Sequence, residues 1–203
     1  GAIEGFGNVG SWTAKILSQL GVSLVATGDY RGYLANPEGL NPHKLAEHVK
    51  KTGSVVEYRH GTAISRDEFF AIDCDIFVPA ALEHEISAKE AKSLKAKVIA
   101  EGANGPTLPD GDAVLRERGI DVLPDILANA GGVTVSYYEW LQNKRSERWE
   151  AEEVAERLER SMKKNYAHMR DFAEERKVDF RTAAYAIGLE RIQKAYLDRG
   201  IWP

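Results

Sequence analysis

The feature that most constrains the fold of this chain is a glycine-rich hexapeptide close to its first residue. Gly5-Phe6-Gly7-Asn8-Val9-Gly10 follows a short apolar segment, Gly1–Glu4. It leads into Asn8–Leu20, where apolar residues recur at helical spacing. A strand, then a turn with glycines at these three positions, and then a helix is the arrangement that holds the pyrophosphate of a dinucleotide.

Each glycine of the turn answers a separate steric requirement. Gly5 permits the tight strand-to-helix turn, Gly7 lets a phosphate approach the backbone, and Gly10 lets the helix pack on the strand. The helix N-terminus adds free N–H groups and a partial positive charge. We therefore expect the whole hexapeptide to bind a cofactor, through Gly5, Phe6, Gly7, Asn8, Val9 and Gly10.

A second strand, predicted over Val22–Thr27, is followed by polar residues that could select between two cofactors. Asp29 lies about 20 residues after Gly10, where a ribose-binding acid is expected. An acid there favours NAD, but Arg31 could pair with the 2′-phosphate of NADP. Asp29 is alternatively a turn residue and Arg31 a solvated loop cation, with Tyr30 between them. The residues favour NAD, and NADP stays possible.

Strand-like and helix-like segments alternate up to about residue 125. Strands are expected at Ile76–Val78, Val98–Ala100 and Ile120–Leu123, and Gly28–Asn41 is expected to be a loop with a short extended piece at Tyr33-Leu34. Helices are expected at Pro42–Thr52, Ser87–Leu94 and Pro109–Arg118, and capping boxes pair Ser65 with Glu68 and Ser87 with Glu90.

Helical patterns alone follow Ala130, at Val133–Asn143, Glu150–Arg176 and Phe180–Asp198. The middle helix carries an apolar stripe that is typical of core packing, formed by Val154, Leu158, Met162, Tyr166, Met169 and Phe172. The fold class is therefore α/β, a Rossmann-like doubly wound parallel sheet with a C-terminal helical extension. We expect a dinucleotide-binding domain over residues 1–143 and an extension packing on it over residues 144–203.

Three segments that leave predicted strands carry small or polar residues at the edge where open sheets bind ligands. Ala80 and Ala81 follow one strand, and their size allows close approach of a ligand. Asn104 and Asn129 follow the next two, and their amides suit a carboxamide or a ribose. Either asparagine is alternatively a turn or cap side chain.

Composition excludes several classes of protein. Net charge is −4 and the cations are scattered, which argues against a nucleic-acid partner. No apolar run is long enough to span a membrane, and the start has no signal-peptide pattern. Cys74 is the single cysteine, so no internal disulfide is possible and a cytoplasmic location is favoured. It lies in an apolar run at strand length, which indicates a buried small side chain rather than a nucleophile.

Taken together, several motifs in one order resemble the glutamate/leucine/phenylalanine/valine dehydrogenases, and the glutamate branch in particular. They are Gly5–Gly10, Asn36-Pro37-Glu38-Gly39-Leu40, Pro79-Ala80-Ala81-Leu82-Glu83, Ala100–Thr107, Asn129–Tyr137, Arg181–Tyr185 and Arg199-Gly200-Ile201-Trp202-Pro203. The Glu101-Gly102-Ala103-Asn104 run is what resembles the glutamate branch, because the other branches usually carry two asparagines and no Glu-Gly there.

The resemblance implies reversible oxidative deamination of L-glutamate to 2-oxoglutarate and ammonia, with hydride passing to a nicotinamide. It places Ala80, Asn104 and Asn129 beside the nicotinamide, and Val133 and Ser136 towards the substrate. The Ser136 hydroxyl would contact the side-chain carboxylate of glutamate, or would instead bond back to its own helix backbone. Full-length relatives are expected to be homo-hexamers.

The family's N-terminal substrate domain, with its glycine-rich lysine motif and its catalytic lysine and aspartate, is not found in this chain. We therefore expect no catalytic residue here, and a chain that binds cofactor but turns over little glutamate on its own. One alternative is a non-catalytic or engineered dinucleotide-binding module. Another is an unrelated enzyme of similar fold, such as a methyltransferase, but that reading leaves the ordered downstream motifs unexplained.

Overall fold

A computed structural model describes residues 1–200, so Ile201-Trp202-Pro203 at the end of the last motif lie outside the described residues. The chain divides into two compact units, Gly1–Asp125 and the helices from Ile126 onward. The helix over Gly131–Arg145 packs against the one that follows it and lies in the later unit. The domain boundary at residue 143 that the sequence suggested stays a prediction.

The first unit alternates strands and helices. Its strands are β1 (Ala2–Glu4), β2 (Leu24–Asp29), β3 (Gly32–Leu40), β4 (Thr62–Ile64), β5 (Ile76–Pro79), β6 (Val98–Ala100) and β7 (Asp121–Leu123). Its helices are α1 (Asn8–Gln19), α2 (Pro42–Thr52), α3 (Arg66–Phe70), α4 (Ala88–Ser93) and α5 (Pro109–Glu117). Most of these bounds lie within two residues of the sequence prediction.

The seven strands form one sheet in the order β4-β3-β2-β1-β5-β6-β7. Strands β2, β1, β5, β6 and β7 run parallel, as predicted for a doubly wound fold. The predicted fold class is confirmed, and the sheet departs from parallel pairing at one edge only, where β3 pairs antiparallel with both β2 and β4. The strand before the glycine turn, β1, lies near the middle of the sheet, between β2 and β5.

The prediction of a loop over Gly28–Asn41 was wrong for most of this segment, because the extended piece expected at Tyr33-Leu34 is part of the nine-residue strand β3. The pairing of β3 with β2 changes register within this segment, because Ala35 pairs with Ala26 whereas Leu40 pairs with Leu24. The turn-forming residues between Ala35 and Leu40 bulge out of the strand pairing. The side chain of Asn36 closes the extra residues by donating to the carbonyl oxygen of Gly39 (3.1 Å) and accepting from the N–H of Glu38 (3.0 Å). A local side-chain turn therefore lets the strand continue past residues that usually end one.

The helix starts follow the predicted signals. Pro42 is the first residue of α2, and the side chain of Asn41 caps this helix. Both predicted capping boxes are present, at Ser65 with Glu68 and at Ser87 with Glu90. Each box satisfies two backbone N–H groups that the first turn of a helix leaves unpaired.

Alternate residues of the strands supply two apolar cores. Ala2 lies in one core with Phe69, Phe70 and Phe77, and the next residue, Ile3, lies in the other. This alternation is what a parallel sheet covered by helices on both faces requires. Cys74 is half-buried just before β5 and packs against the first core, and burial raises the pKa of its thiol. It is therefore a packing residue, although it is only half-buried and precedes the strand instead of lying in it.

The second unit is helical. A short helix α6 (Asp125–Ala128) begins at the division, and α7 (Gly131–Arg145), α8 (Ala151–Arg176) and α9 (Phe180–Arg199) follow. The apolar stripe of α8 was predicted to be core, but only Met169 among its six residues is buried. Throughout residues 1–200, no helix is both long and apolar enough to cross a membrane. That part of the chain also holds no group of three side chains suited to a metal ion.

Candidate functional site

The glycine turn joins three strands at their carboxyl ends. The N–H of Gly5 donates to the carbonyl oxygen of Gly28 at the end of β2 (3.0 Å). The N–H of Ala80 donates to the carbonyl oxygen of Glu4, linking the end of β5 to β1 (2.7 Å). These bonds fix the backbone at the point from which α1 departs.

The requirement for glycine differs among the three positions. Gly5 has a φ of 91°, and a Cβ there would lie 2.6 Å from the carbonyl oxygen of Ala80. A Cβ on Gly10 would overlap the carbonyl oxygen of Gly5. A Cβ on Gly7 would meet no atom within 4 Å. Gly5 and Gly10 are therefore needed by the fold, whereas Gly7 leaves space above the backbone.

The N-terminus of α1 opens into that space. Gly7 is the N-cap of this 12-residue helix, and no side chain within residues 1–200 caps it. Gly7, Asn8 and Val9 are exposed, whereas Phe6 is buried beneath them. Uncapped N–H groups at a helix start carry a partial positive charge, so this end of α1 can accept an anion.

A cavity of about 340 Å³ lies beside the turn. Residues from the ends of β1, β2, β3 and β5 enclose it: Glu4, Gly5, Phe6, Gly7, Gly28, Asp29, Tyr30, Tyr33, Ala80, Ala81, Leu82 and Glu85. Seven of the expected cofactor residues thus lie around one cavity, namely Gly5, Phe6, Gly7, Asp29, Tyr30, Ala80 and Ala81. Its described lining includes no lysine or arginine, and Arg31 is exposed outside it.

Asp29 is held in place by backbone and hydroxyl donors. Its Oδ1 accepts from the N–H of Arg31 (2.8 Å) and from the hydroxyl of Ser54 (3.0 Å). Its Oδ2 accepts from the N–H of Val55 (2.6 Å). Asp29 therefore ties the end of β2 to the segment after α2, and it also presents a negative charge at the cavity wall.

Tyr33 closes the same side of the cavity. Its ring covers Gly28, where any Cβ would overlap the ring carbons. Its other face contacts Phe69, with ring centroids 4.6 Å apart. Burial, together with nearby Glu4, raises the pKa of the Tyr33 phenol, which therefore remains neutral in ordinary buffers.

A charged network lies under the cavity. Arg66 donates to Glu85 (2.9 Å) and to Glu90 (2.6 Å), and its guanidinium lies 4.5 Å from the ring centre of Phe70. Burial opposes ionisation of Glu90, but hydrogen bonds from Ser87 and Arg66 prevail and lower its pKa to about 2. Burial first, and then the charge of Glu85, raises the pKa of Glu4 to about 8. Near neutral pH, Glu90 is therefore ionised whereas Glu4 is mainly protonated.

Asn104 lies at the exposed tip of the loop after β6. The N–H groups of Gly102 and Ala103 both donate to the carbonyl oxygen of Pro79 (3.0 and 2.9 Å), which ties this loop to the end of β5. Buried Glu101 accepts from the N–H of Asp125 (2.9 Å), and Asp125 accepts from the N–H of Gly105 (2.8 Å). The Glu-Gly segment that supported the resemblance thus holds the loop after β6 in place through these hydrogen bonds.

The remaining expected residues belong to the second unit. Asn129 is half-buried after α6, whereas Val133 and Ser136 on α7 are exposed, Val133 by 70%. Thr134 bonds back to the carbonyl oxygen of Ala130 (2.8 Å), the alternative considered for Ser136. Ser136 makes no such bond among the described residues, so its hydroxyl stays open to an external partner.

Sequence reasoning missed Glu4, Gly28, Tyr33 and Glu85, all of which line the cavity. One signal was available for Glu4, because an acid at the end of a buried strand directly before a phosphate-binding turn is unusual. Tyr33 and Glu85 carried no local signal, since they reach the cavity only through the pairing of β3 and the course of the loop after β5.

Comparison with known proteins identifies one family. The family model for glutamate/leucine/phenylalanine/valine dehydrogenases matches residues 1–200. A glutamate dehydrogenase of Thermotoga maritima is 48% identical over the whole chain, which covers 49% of that protein. An NAD-specific glutamate dehydrogenase of Staphylococcus aureus is 43% identical over 98% of the chain and 48% of that protein.

A solved structure shows the same fold. The hetero-hexameric glutamate dehydrogenase of Thermus thermophilus, in a leucine-bound form, superposes with a TM-score of 0.92 at 31% identity. The match covers all of this chain and 48% of that one, so the chain spans about half the length of the relatives it matches. The ordered motifs, the doubly wound sheet and these matches place the chain in the glutamate/leucine/phenylalanine/valine dehydrogenase family.

Proposed function

We propose that the first unit binds a nicotinamide dinucleotide, NAD in preference to NADP, as the cofactor-binding part of a glutamate dehydrogenase. The contrast among the three glycines carries this proposal. Gly5 and Gly10 are needed for the fold, but Gly7 faces open space at the uncapped start of α1. A pyrophosphate fits there, because only a residue without a side chain lets it reach the backbone N–H groups.

The cavity beside the turn suits the adenosine ribose. Asp29 and Glu85 supply negative charge to its wall, and the described lining holds no cation to balance a phosphate. A 2′-phosphate would therefore be repelled, whereas ribose hydroxyls can be accommodated. The Staphylococcus aureus relative, named as NAD-specific, supports the same choice.

The family membership supports glutamate and 2-oxoglutarate as the substrate pair of the whole enzyme. A nicotinamide bound there would supply the acceptor for a hydride from the amino acid. We assign Ala80, Asn104 and Asn129 to the nicotinamide end, and Val133 and Ser136 to the substrate. The open hydroxyl of Ser136 can donate to a substrate carboxylate, a role that the back-bonded Thr134 cannot share.

We assign no catalytic acid or base to this chain. Purified alone, it should bind cofactor and form little or no NADH from glutamate, because proton transfer needs a positioned acid–base group. We place the complete enzyme in the cytoplasm as a hexamer, the assembly named for the Thermus thermophilus relative. Sustained glutamate-dependent NADH formation by the 203-residue chain would contradict the assignment.

Calorimetric titration of the chain with NAD and with NADP tests the central proposal. Saturable binding with NAD the tighter ligand is expected. The matched control is Gly7→Ala, whose methyl group fills the open space without touching the protein. A folded chain that binds neither dinucleotide, or a Gly7→Ala variant that binds as well as the parent, would refute the proposed site.

A further inference from the structure

Glu4 is an unusual residue at the floor of the cavity. It is the last residue of β1 and directly precedes the glycine turn. It is 2% exposed, and neither of its carboxyl oxygens makes a hydrogen bond of good geometry within residues 1–200, although the side chains of Glu85 and Tyr33 approach it. An ionised carboxylate without a partner is poorly tolerated in a protein interior, so this group requires an explanation.

Charged and titratable groups surround Glu4 from several elements. Glu85 comes from the loop after β5, Tyr33 from β3 and Arg66 from α3, and all three act on Glu4. Asp29 of β2 lines the same cavity, and Glu90 of α4 shares Arg66 with Glu85. The nearby cation is thus already bound by two other carboxylates and does not pair with Glu4.

These surroundings favour the neutral form of Glu4. Burial penalises its charge, Glu85 repels it, and the pKa of Glu4 rises to about 8. Near neutral pH the floor of the cavity therefore carries a carboxylic acid. Above that range it carries a buried negative charge beside Gly5 and Gly7, where the proposed function places the two negative charges of a pyrophosphate.

We propose that Glu4 is a proton-linked positioning residue, whose neutral form keeps the glycine turn receptive to the dinucleotide and whose ionisation weakens binding. This inference rests on the proposed cofactor site and links dinucleotide binding at that site to the protonation of Glu4. At alkaline pH the chain takes up one proton as the dinucleotide binds. Neutral Glu4 has a second effect. It places no negative charge near the N-terminus of α1, so the partial positive charge of that helix end is available to the phosphates.

Calorimetric titration with NAD from about pH 6.5 to about pH 9.5 tests this linkage, since one coupled proton changes affinity by at most about tenfold per pH unit. Affinity of the parent chain should fall by about tenfold across the range. The Glu4→Gln variant, which has the shape of the neutral acid, should change by less than about twofold. Titration in two buffers of different ionisation enthalpy should show proton uptake in the parent and none in the variant.

Glu85→Gln supplies a second test that does not alter Glu4 itself. Removing the repelling charge lowers the pKa of Glu4, so the loss of NAD affinity should begin at a lower pH. The phenol of Tyr33, with its raised pKa, stays neutral through this range, and the α-amino group of Gly1 is the same in all three chains. Circular dichroism at each pH confirms that each chain is folded.

The outcomes separate the two proposals. NAD binding with the same pH profile in the parent and in Glu4→Gln overturns the role of Glu4 and leaves the cofactor site standing. An unshifted profile in Glu85→Gln also contradicts it. Absence of NAD binding in all three folded chains at every pH overturns both proposals.

Discussion

Gly10 on α1 packs against the carbonyl oxygen of Gly5 so closely that a single Cβ at Gly10 would overlap it. This contact sets the distance between the first helix and the first strand, and with it the position of the α1 N-terminus. Gly7, between them in sequence, takes no part in this packing, since a Cβ there would meet no protein atom. The turn therefore separates residues that maintain the fold from a residue that serves the ligand.

Alanine substitution should mainly reduce stability at Gly10 and mainly reduce NAD binding at Gly7. Gly10→Ala is expected to destabilise the chain by about 1–3 kcal/mol, because an added methyl in a closed contact forces the backbone apart. Gly7→Ala should cost only about 0.5–1 kcal/mol, the difference between glycine and alanine at an N-cap, and should abolish NAD binding. Urea denaturation and NAD titration of both variants measure the difference. Equal stability losses would show that the turn does not divide its roles in this way.

Asp29 should affect both cofactor choice and stability. Asp29→Asn removes the negative charge at the cavity wall, so the ratio of NAD to NADP affinity should fall by about tenfold. It also weakens the bonds from Ser54 and Val55, with an expected loss of about 1–2 kcal/mol. Arg31→Ala is the matched control, since Arg31 is exposed and does not line the cavity. A greater change of the ratio in Arg31→Ala would assign cofactor choice to the cation.

Glu4 should make the stability of the chain depend on pH. A buried acid whose pKa is raised from 4.5 to about 8 stabilises the fold fully below about pH 4.5. That contribution decreases as pH rises and is lost once pH passes about 8. Glu4→Gln should therefore be the more stable chain near pH 9, by about 1–3 kcal/mol. Thermal denaturation of both chains between acid and alkaline pH measures this, and parallel curves would contradict it.

Glu90 should produce the opposite dependence. Its pKa is lowered to about 2, so its ionised form stabilises the fold above about pH 4.5 and loses that effect as pH falls towards 2. Glu90→Gln should cost about 1–3 kcal/mol at neutral pH, because Arg66 and Ser87 lose a charged partner. The difference from the parent should shrink below pH 4. Glu159→Gln, on an exposed helix pair, should leave stability unchanged at either pH.

Much of the fold was predictable because its signals are local. The capping boxes at Ser65 and Ser87 and the proline at the start of α2 depend on residues three or four apart, which one short segment contains. The glycine turn was predictable for the same reason. Strand β3 was not, because turn-forming residues dominate its sequence and only pairing with β2 and β4 overrides them.

Sequence patterns indicated the part of the candidate site whose residues are close together in sequence. They did not indicate contacts between residues that are distant in sequence. Spacing alone singled out Asp29 and the turn, and Asp29 lines one cavity with Gly5, Phe6 and Gly7 of that turn. Their role in binding a cofactor stays a prediction. The bond of Arg66 to Glu90 and its bond to Glu85 join elements that are distant in sequence. No spacing rule reveals such a network, and without it the neutral state of Glu4 could not be inferred.

The position of β1 near the middle of the sheet has a consequence for how the chain folds. Ala2 pairs with Ala26 on one side and with Phe77 on the other, so the second partner is synthesised much later than the first. Closing that pair requires a long loop, which makes it an entropically slow step. We expect β1 to pair with β2 early, because that pair is as local in sequence as the pair of β5 with β6. The join between β1 and β5 should form last, so that the phosphate-binding turn is completed only when the two halves of the sheet meet.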